Sequence, residues 1–349
     1  MKRIAFRVDG GQKIGMGHVM RTLALASAFP VDTELVFIVR EEAVVLKKLK
    51  ENKRRSRIIS LPASLSMFEE LNQLISIIKN ESIDILITDS YSFDQAYLLE
   101  LKRVVGKLVS IHDFAPFPFP SDLVINGNIY APDLEYSPLT ANTKFLLGTK
   151  YLLMRDEFSG LAERSLKKEV KNILVTTGGG DPLNLTPKIV ESIGLLDGFP
   201  VSKFFDRDKL HLDIVIGPVF NNLKQIVETV QSLDMDISLH FNPGKMSSLM
   251  LKCDLAVSAG GSTLYELAAA GTPTLALLQA DNQIQGAEAL HEKGAIINLG
   301  KGDQVQTDRI SESIAELIND FELRKRMSTT GQKLVDGKGV QRCVKEILS

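Results

Sequence analysis

The sequence predicts an α/β protein made of two doubly wound, Rossmann-like domains that face a cleft. Short runs rich in Val, Ile and Leu alternate with amphipathic stretches of helical length, which is typical of βαβ units around a parallel sheet. The alternation occurs twice with a break in the middle, and a chain of 349 residues is long enough for about two domains. Two such sheets joined by a linker are the simplest architecture.

The first alternation predicts a domain over 1–150. Its apolar runs are interpreted as strands 3–9, 34–39, 57–61, 84–89, 108–112 and 122–126. The amphipathic stretches between them are interpreted as helices 18–28, 42–50, 67–79 and 94–104. After residue 126, prolines, a short apolar run at 145–147 and a charged stretch from Glu163 indicate a connection between domains, with 151–170 as the linker.

The second alternation predicts a domain over 171–335. Its strands are expected at 172–177, 212–216, 236–241, 254–258, 273–278 and 295–299. Its helices are expected at 186–195, 221–232, 246–252, 262–270, 283–292, 307–319 and 321–335. The last segment, 336–349, is expected to pack back on the first domain.

Composition and charge exclude several classes of protein. Hydrophobic residues make up 44% of the chain and charged residues 24%, so the bulk of it should fold. The formal net charge of -2 lacks the basic field of a dedicated nucleic-acid binder. Cys253 and Cys343 form no zinc or disulfide motif, and neither a secretory signal nor a long apolar segment is evident, so we expect a soluble, uncleaved cytoplasmic protein.

The loop after the first predicted strand is rich in glycine and runs into a helix. Four glycines fall within residues 10–17, among them Gly15 and Gly17, so the backbone can approach a ligand closely and its amides favour an anion. A dinucleotide-binding fingerprint would need Gly or Ala where Met20 stands, which disfavours NAD.

His18 lies at the start of the helix that follows this loop. The positive end of the helix dipole favours the neutral imidazole, which can accept a proton, so His18 is a candidate general base. Asp9 at the strand end and Arg21 one turn further on are expected beside it. The alternative is a structural histidine that caps the helix, and for Asp9 a capping or supporting role is nearly as well favoured.

Two loops of the second domain have a similar design. Gly260, Gly261, Ser262 and Thr263 follow an apolar strand and begin a helix, which is the form of a diphosphate-binding turn, and Glu266 could accept hydrogen bonds from a ribose. Polar residues that include Asn282 and Gln283 follow the next strand and should converge on the same edge. The loop at 178–181, with Gly179 and Gly180, is either part of this site or a plain strand-to-helix turn.

Other patterns are weaker. The segment 256–260 is close to a nucleophile elbow, with Asp281 and His291 in the order of an α/β-hydrolase triad, but the first glycine is missing. No motif suggests a metal or another cofactor. The basic stretch 47–57 is interpreted as a solvated helix end, with weak docking on an anionic membrane surface as the alternative. Asp113 ends a strand and could line the cleft.

Taken together, the motifs resemble a known family. They are Arg7-x-Asp9, Ile14-Gly15-x-Gly17-His18 with Arg21, Asp89-Ser90-Tyr91, Leu153 to Phe158, Gly178 to Asp181, and Ser258 to Ser262 with Glu266. Over almost the whole chain they resemble the nucleotide-sugar hydrolase of the pseudaminic acid pathway and its relatives in spore coat polysaccharide biosynthesis. The resemblance implies the two-domain glycosyltransferase-B type fold, with UDP bound by the C-terminal domain.

The resemblance also implies a reaction and a set of site residues. The family cleaves a UDP-linked 2,4-diacetamido-2,4,6-trideoxy hexose to UDP and free sugar, with inversion and without a metal. The histidine proposed as its base matches His18, with Asp9 as the residue that could orient the ring. Residues implied to bind sugar and phosphate are Gly15, Gly17, Arg21, Asp89, Tyr91, Arg155, Glu157, Gly179 and Gly180. Those implied to bind UDP are Ser258, Gly260, Gly261, Ser262, Thr263, Glu266, Asn282 and Gln283.

Two positions depart from the hydrolase pattern. The hydrolase typically has His where this chain has Ser90, and the pair Gly260-Gly261 is closer to the turn of the related transferases. A glycosyltransferase that uses a UDP-sugar donor is therefore the first alternative, and a non-catalytic UDP-sugar binder is the second. Neither the sugar nor the oligomeric state can be read from the sequence.

Overall fold

The computed structural model describes residues 2–11, 14–52, 54–201 and 205–349. The chain forms two units, of which unit 1 comprises Met1–Asp156 with Gly337–Ser349 and unit 2 comprises Glu157–Asp336. Both are parallel sheets flanked by helices, so the predicted fold class of two doubly wound α/β domains is confirmed. The segment 151–170, which we interpreted as a linker, is divided between the two units at Asp156.

Unit 1 is built on seven parallel strands in the order β3-β2-β1-β4-β5-β6-β7. The strands are β1 (Arg3–Val8), β2 (Glu34–Arg40), β3 (Arg57–Leu61), β4 (Ile85–Asp89), β5 (Lys107–Ile111), β6 (Leu123–Asn126) and β7 (Lys144–Leu147). The chain begins in the centre at β1, moves out to β3 and returns to β4 on the other side of β1. The carboxyl ends of β1 and β4 therefore meet at the point where a doubly wound sheet binds its ligands.

Strand β7 corrects one expectation. The apolar run 145–147 was assigned to the connection between domains, but it pairs in parallel with β6 and buries Leu146. The strand extends the buried sheet after a long connection through residues 127–143. It is short and follows a proline-containing segment, so its sequence pattern does not indicate a strand.

In the described part of unit 1, four α-helices from the N-terminal segment and one C-terminal α-helix cover the sheet. The first four are α1 (Gly17–Ser27), α2 (Ala43–Lys50), α3 (Met67–Asn80) and α4 (Gln95–Lys102). Helix α1 buries Val19, Leu25 and Ala26 against the core residues of β1, where Phe6 stacks on Phe37 with ring centroids 4.8 Å apart. This packing fixes the first turn of α1, and with it His18, beside the end of β1.

Unit 2 contains six parallel strands in the order β10-β9-β8-β11-β12-β13. The strands are β8 (Asn172–Thr176), β9 (His211–Ile216), β10 (Asp236–Phe241), β11 (Leu255–Ala259), β12 (Thr274–Leu278) and β13 (Ile297–Lys301). The helices are α5 (Leu185–Gly194), α6 (Leu223–Gln231), α7 (Met246–Lys252), α8 (Thr263–Ala269), α9 (Ile284–Glu292), α10 (Thr307–Asn319) and α11 (Phe321–Leu334). The change of direction lies between β8 and β11, so the loops after these strands are neighbours.

Two guanidinium groups, of half-buried Arg164 and fully buried Arg324, attach the segment 157–170 to the rest of unit 2. Arg164 donates to the carbonyl of Met250 at 2.8 Å and to Thr272 Oγ1 at 2.7 Å. Arg324, which is fully buried, donates to the carbonyls of Ile318 and Lys168. These hydrogen bonds link the segment to α7, to the turn before β12 and to α11 of unit 2, so it is part of the unit and not a free connection.

The last helix, α12 (Gly339–Leu348), belongs to unit 1. Val340, Cys343, Val344 and Ile347 join the core formed by β1 and α1. Gly339 permits the close approach, because a Cβ at this position would lie 2.5 Å from the backbone nitrogen of Leu152. Among the described residues, no helix has the length and apolar character needed to cross a membrane.

Candidate active site

Three acidic residues meet at the carboxyl edge of the sheet in unit 1. Asp9 follows β1, Asp89 ends β4 and Asp113 follows β5. Strand β4 lies between β1 and β5, and the amide of Asp9 donates to the carbonyl of Asp89 at 3.2 Å. The order of the strands therefore brings together residues that are up to 104 positions apart in the sequence.

His18 faces this edge from the first turn of α1. Its Nδ1 lies 2.6 Å from Oδ1 of Asp89, and both side chains are buried. When Nδ1–H donates a hydrogen bond to the carboxylate, Nε2 is unprotonated and its lone pair can accept a proton, as a general base requires. Within the described part of the chain, no hydrogen bond to Nε2 is present.

Arg21 lies one helical turn beyond His18 and joins two of the carboxylates. Its Nε and Nη2 donate to the two oxygens of Asp89 at 2.7 and 2.6 Å, and its Nη1 donates to Oδ1 of Asp113 at 2.7 Å. Burial would lower the pKa of Arg21, but Asp113 and Asp89 raise it well above its ordinary value. The guanidinium is therefore a permanent charge between two acids.

Tyr91 covers the other side of His18. The two rings meet edge to face with centroids 4.6 Å apart, and the phenol hydroxyl donates to Oδ2 of Asp113. Burial and the Asp113 carboxylate raise the pKa of Tyr91 well above its ordinary value, so its proton is retained. With 46% of its surface exposed, Tyr91 is more accessible to a substrate than buried His18, Asp89 and Asp113.

The structure does not place Asp9 on the His18 ring. Asp9 Oδ1 accepts from Arg7 Nη1 at 2.7 Å, and Oδ2 accepts from the Ser90 hydroxyl. Burial would raise the pKa of Asp9, but Arg7 holds it below its ordinary value. Asp89 is thus the residue that orients His18, and the expectation that Asp9 orients the ring is wrong, because the pairing of β1 with β4 places Asp89 against Nδ1 and local spacing does not reveal that pairing.

Beneath Asp9 lies a buried ionic network that the sequence analysis missed. Arg7 is fully buried, and its Nε donates to Oε1 of Glu70, also fully buried, at 2.9 Å. Glu70 further accepts from Tyr97 at 2.9 Å and from Arg40 Nε at 2.7 Å. This network joins α3 and α4 to the ends of β1 and β2, so it supports the loop that precedes His18.

The glycine-rich loop itself is closed by a backbone pair. Gly11 and Gly15 exchange hydrogen bonds of 3.1 and 2.8 Å, with φ angles of 142° and 86°. A side chain at Gly11 would meet Glu42, whereas a Cβ at Gly15 or Gly17 would have no neighbour within 4 Å. Gln12 and Lys13 of this loop lie outside the described residues.

The two glycine-containing loops of unit 2 follow the neighbouring strands β8 and β11, and the loop after β12 contacts both of them. The amide nitrogen of Gln279 donates to Oε1 of Gln283 at 2.8 Å, and Gln279 Nε2 donates to the carbonyl of Thr177 at 2.8 Å. A Cβ at Gly260 would clash with Leu278, while a Cβ at Gly261 would make only an ordinary contact, 3.8 Å from Nε2 of Gln283. The loops after β8, β11 and β12 therefore form one polar edge, with Ser262 and Asn282 exposed on it.

Asp181 has a structural role in this edge. Its Oδ1 and Oδ2 accept from the amides of Leu185 and Thr186 at 2.7 and 2.8 Å, so it caps α5 from a buried position. The preceding Gly178 has a φ of 91°, and a Cβ at Gly178 or Gly179 would meet nothing within 4 Å. The backbone of this turn is therefore open to a ligand.

Gly217, just after β9, supports the same turn. A Cβ there would lie 2.5 Å from the carbonyl oxygen of Gly178 and closer still to that of Gly179. We expect Gly217→Ala to displace the turn at a cost of about 1–3 kcal/mol in the free energy of unfolding, as overpacking does. Thermal unfolding measures this, and Gly244→Ala is the matched control because its Cβ would enter open space. An equal loss in both variants would contradict the expectation.

Two further predicted site residues, Glu157 and Arg155, lie in different units. Glu157 accepts from the hydroxyl of Ser247 at 2.9 Å in unit 2, and Arg155 is half-buried in unit 1. The triad alternative finds no support, since Ser258 bonds its neighbour's carbonyl and Asp281 pairs with Lys301 at 2.7 Å.

In the basic stretch, Arg57 pairs with Glu81 at 2.6 Å and Arg54 donates to the carbonyl of Thr33, while Lys53 lies outside the described residues. In the part of the chain that the structure describes, no group of three His, Cys, Asp or Glu side chains is arranged to hold a metal ion.

The fold and the paired loops define a class of protein. Two parallel α/β domains of this kind characterise the glycosyltransferase-B type of fold. The chain is similar to MurG of Acinetobacter baumannii, with a TM-score of 0.75 and 14% identity, and the match covers 100% of this chain and 99% of that one. It is similar with a TM-score of 0.64 and 14% identity to the UDP-GlcNAc 2-epimerase of Neisseria meningitidis bound to UDP-GlcNAc, covering all of both chains. At such identities the likeness shows the fold alone.

Sequence comparison is more specific. The chain is 28% identical to the spore coat polysaccharide biosynthesis protein SpsG of Bacillus subtilis, over 96% of this chain and 94% of that protein. It is 25% identical to the UDP-2,4-diacetamido-2,4,6-trideoxy-beta-L-altropyranose hydrolase of Campylobacter jejuni, over 84% of this chain and 97% of that protein. The resemblance predicted from the motifs is therefore confirmed.

An uncharacterised protein of Methanocaldococcus jannaschii is 31% identical to this chain over 81% of the chain's length. The match spans only 56% of that relative's length. No protein-family model matches the chain.

Proposed function

We propose that the protein is a nucleotide-sugar hydrolase that releases UDP and a free diacetamido-trideoxy hexose, in nonulosonic acid or spore coat polysaccharide biosynthesis. The observation that carries this proposal is the His18–Asp89 pair, in which Nδ1 is bonded to a buried carboxylate and Nε2 is left to take a proton. The similarity to a hydrolase of a UDP-linked diacetamido-trideoxy sugar supports the choice of substrate.

In the proposed mechanism, His18 Nε2 takes a proton from a water molecule as the water oxygen attacks the anomeric carbon. The bond between that carbon and the diphosphate oxygen breaks, and its electron pair leaves with UDP. Because UDP is already anionic near neutral pH, its departure needs no acid, so a single general base is sufficient. The Asp89 carboxylate stabilises the imidazolium that forms.

The nucleotide is assigned to unit 2. We propose that the backbone at 260–263 and the open turn at Gly178 to Gly180 bind the diphosphate, and that Glu266 accepts hydrogen bonds from the ribose. Ser258, Asn282 and Gln283 lie at the same edge and complete the proposed UDP site. Arg21, Tyr91, Arg155 and Glu157 remain proposed contacts of the sugar and phosphate, with Arg21 acting mainly through Asp89.

A glycosyltransferase is the second candidate, favoured by the Gly260-Gly261 turn and by the similarity in fold to MurG. In that reaction a sugar hydroxyl would replace water, and the basic stretch 47–57 would suit an acceptor at an anionic membrane surface. A binder without catalysis is the third candidate, but it would have no use for a buried carboxylate that holds His18 with Nε2 free.

The decisive experiment is incubation of the purified protein with a panel of UDP-sugars that includes UDP-linked diacetamido-trideoxy hexoses, followed by anion exchange to detect UDP. We expect UDP release without any acceptor, and inversion at the anomeric carbon by NMR of the fresh product. Binding of UDP-sugar without release would contradict the hydrolase and direct the search to an acceptor.

A further inference from the structure

Asp113 closes a ring of contacts around His18. His18 bonds Asp89, Asp89 accepts from Arg21, and Arg21 donates to Asp113. Asp113 in turn accepts from the Tyr91 hydroxyl, and the Tyr91 ring returns to the His18 ring at 4.6 Å. Each member is therefore held from two sides, and Asp113 reaches His18 through Arg21 on one side and Tyr91 on the other.

Two acceptor atoms, one on Asp89 and one on His18, compete for the Nη2 group of Arg21. Arg21 Nη2 lies 2.6 Å from Oδ1 of Asp89 but also 3.1 Å from His18 Nδ1. If Nη2 donated to Nδ1, the imidazole proton would move to Nε2 and the ring could not act as a base from that nitrogen. Whether the Arg21 Nη2 N–H points to Asp89 or to His18 Nδ1 therefore decides which tautomer His18 adopts.

Asp113 fixes that direction. Its Oδ1 accepts from Arg21 Nη1 at 2.7 Å, and Asn128 Nδ2 donates to the same oxygen at 2.8 Å. A planar guanidinium held at Nη1 by Asp113 and at Nε by Asp89 keeps Nη2 at 2.6 Å from Oδ1 of Asp89, closer than its 3.1 Å to His18 Nδ1. Burial would raise the pKa of Asp113, but Arg21 holds it well below its ordinary value, so Asp113 is an ionised acceptor.

The same carboxylate fixes the polarity of Tyr91. An ionised Asp113 can only accept, so the phenol proton points to Asp113 and the lone pairs of the phenol oxygen are left for another donor. Any ligand group that meets this oxygen must supply an N–H or O–H.

We propose that Asp113 is a positioning residue that keeps the Nδ1 proton of His18 on the Asp89 side and makes the Tyr91 hydroxyl a hydrogen-bond acceptor for the substrate. Its effect on rate rests on the proposed function, whereas its effect on the His18 tautomer does not. Asp113 touches no reacting atom and acts through Arg21 and Tyr91.

The test combines kinetics with ¹⁵N NMR of protein labelled in its five histidines, with the His18 signals assigned from His18→Gln. In the wild type we expect a protonated Nδ1 and an unprotonated Nε2. Asp113→Asn and Asp113→Ala should populate the opposite tautomer and lower kcat by about 10- to 100-fold, the loss typical when a residue that orients a functional histidine is removed. KM should change less than kcat.

Asp122→Asn is the matched control. Asp122, like Asp113, lies in the connection between β5 and β6. Its carboxylate pairs with Lys102 and accepts from the amide of Leu108, outside the ring of contacts around His18. We expect wild-type tautomer and rate from this variant.

Tyr91→Phe is the second variant, to be used where the Asp113 variants do not fold. It should keep the His18 tautomer and raise KM for substrates that donate to the phenol oxygen. Unchanged tautomer and kcat in the Asp113 variants, or unchanged KM in Tyr91→Phe, would overturn the proposal. A tautomer change in a protein without turnover would instead refute the proposed function and leave this inference standing.

Discussion

His18→Ala is expected to lower the rate of UDP release by about 10²- to 10⁴-fold, the usual contribution of a positioned general base. The structure gives the reason, since His18 Nδ1 is committed to Asp89 and Nε2 is the nitrogen left to accept a proton from water. Binding of UDP should be unchanged, because the proposed UDP site lies in unit 2. Steady-state kinetics on the best UDP-sugar of the panel and calorimetry with UDP measure the two effects.

His291→Ala is the control for this variant. His291 lies on α9, and its Nδ1 is 3.2 Å from the carbonyl oxygen of Ile296. Its removal should leave the rate within about twofold, as expected for a histidine that takes no part in proton transfer. Full activity in His18→Ala would contradict the role of His18 as a base, and a large loss in His291→Ala would favour the triad alternative.

Glu70→Ala is expected to destabilise unit 1 by about 3–5 kcal/mol, the cost of breaking a buried ion pair by the loss of one partner. Arg7 would keep Asp9 but lose the carboxylate at its Nε, and the Tyr97 hydroxyl and Arg40 would lose their acceptor. For a unit of this size, such a loss corresponds to a fall of about 10 °C in the unfolding temperature. Scanning calorimetry on the full chain measures it.

Glu70→Gln should lose less than Glu70→Ala, because the amide keeps one oxygen acceptor within the network. Glu100→Ala is the exposed control, since Glu100 forms an ion pair with Arg103 on the surface of α4 and such pairs contribute about 0–1 kcal/mol. A loss below 1 kcal/mol in Glu70→Ala would show that the buried network does not support the unit.

The strands and helices could be predicted from the sequence because their signals are local. The continuous apolar runs of β1 and β4 are buried on both faces, and their predicted bounds differ from the structure by one residue at most. Strand β7 was missed because four residues with one fully buried side chain carry too little pattern.

The candidate site could be predicted in part. The glycine-rich loop and His18 are contiguous in sequence, so they could be recognised together. The roles of Asp89, Asp113 and Glu70 could not, because they depend on which strand ends are neighbours. The order β1-β4-β5 brings Asp89 to His18, and a long-range contact between α3 and β1 brings Glu70 to Arg7. Neither relation leaves a signal in local spacing.

The return of α12 to unit 1 affects the order in which the protein can fold during synthesis. The core of β1 and α1 includes Val340, Cys343, Val344 and Ile347, which leave the ribosome after the whole of unit 2. Domains made first usually fold first, but here the N-terminal domain must wait with an open hydrophobic face while its neighbour is translated. The nascent chain therefore exposes the surface behind His18 to chaperones and proteases until α12 emerges.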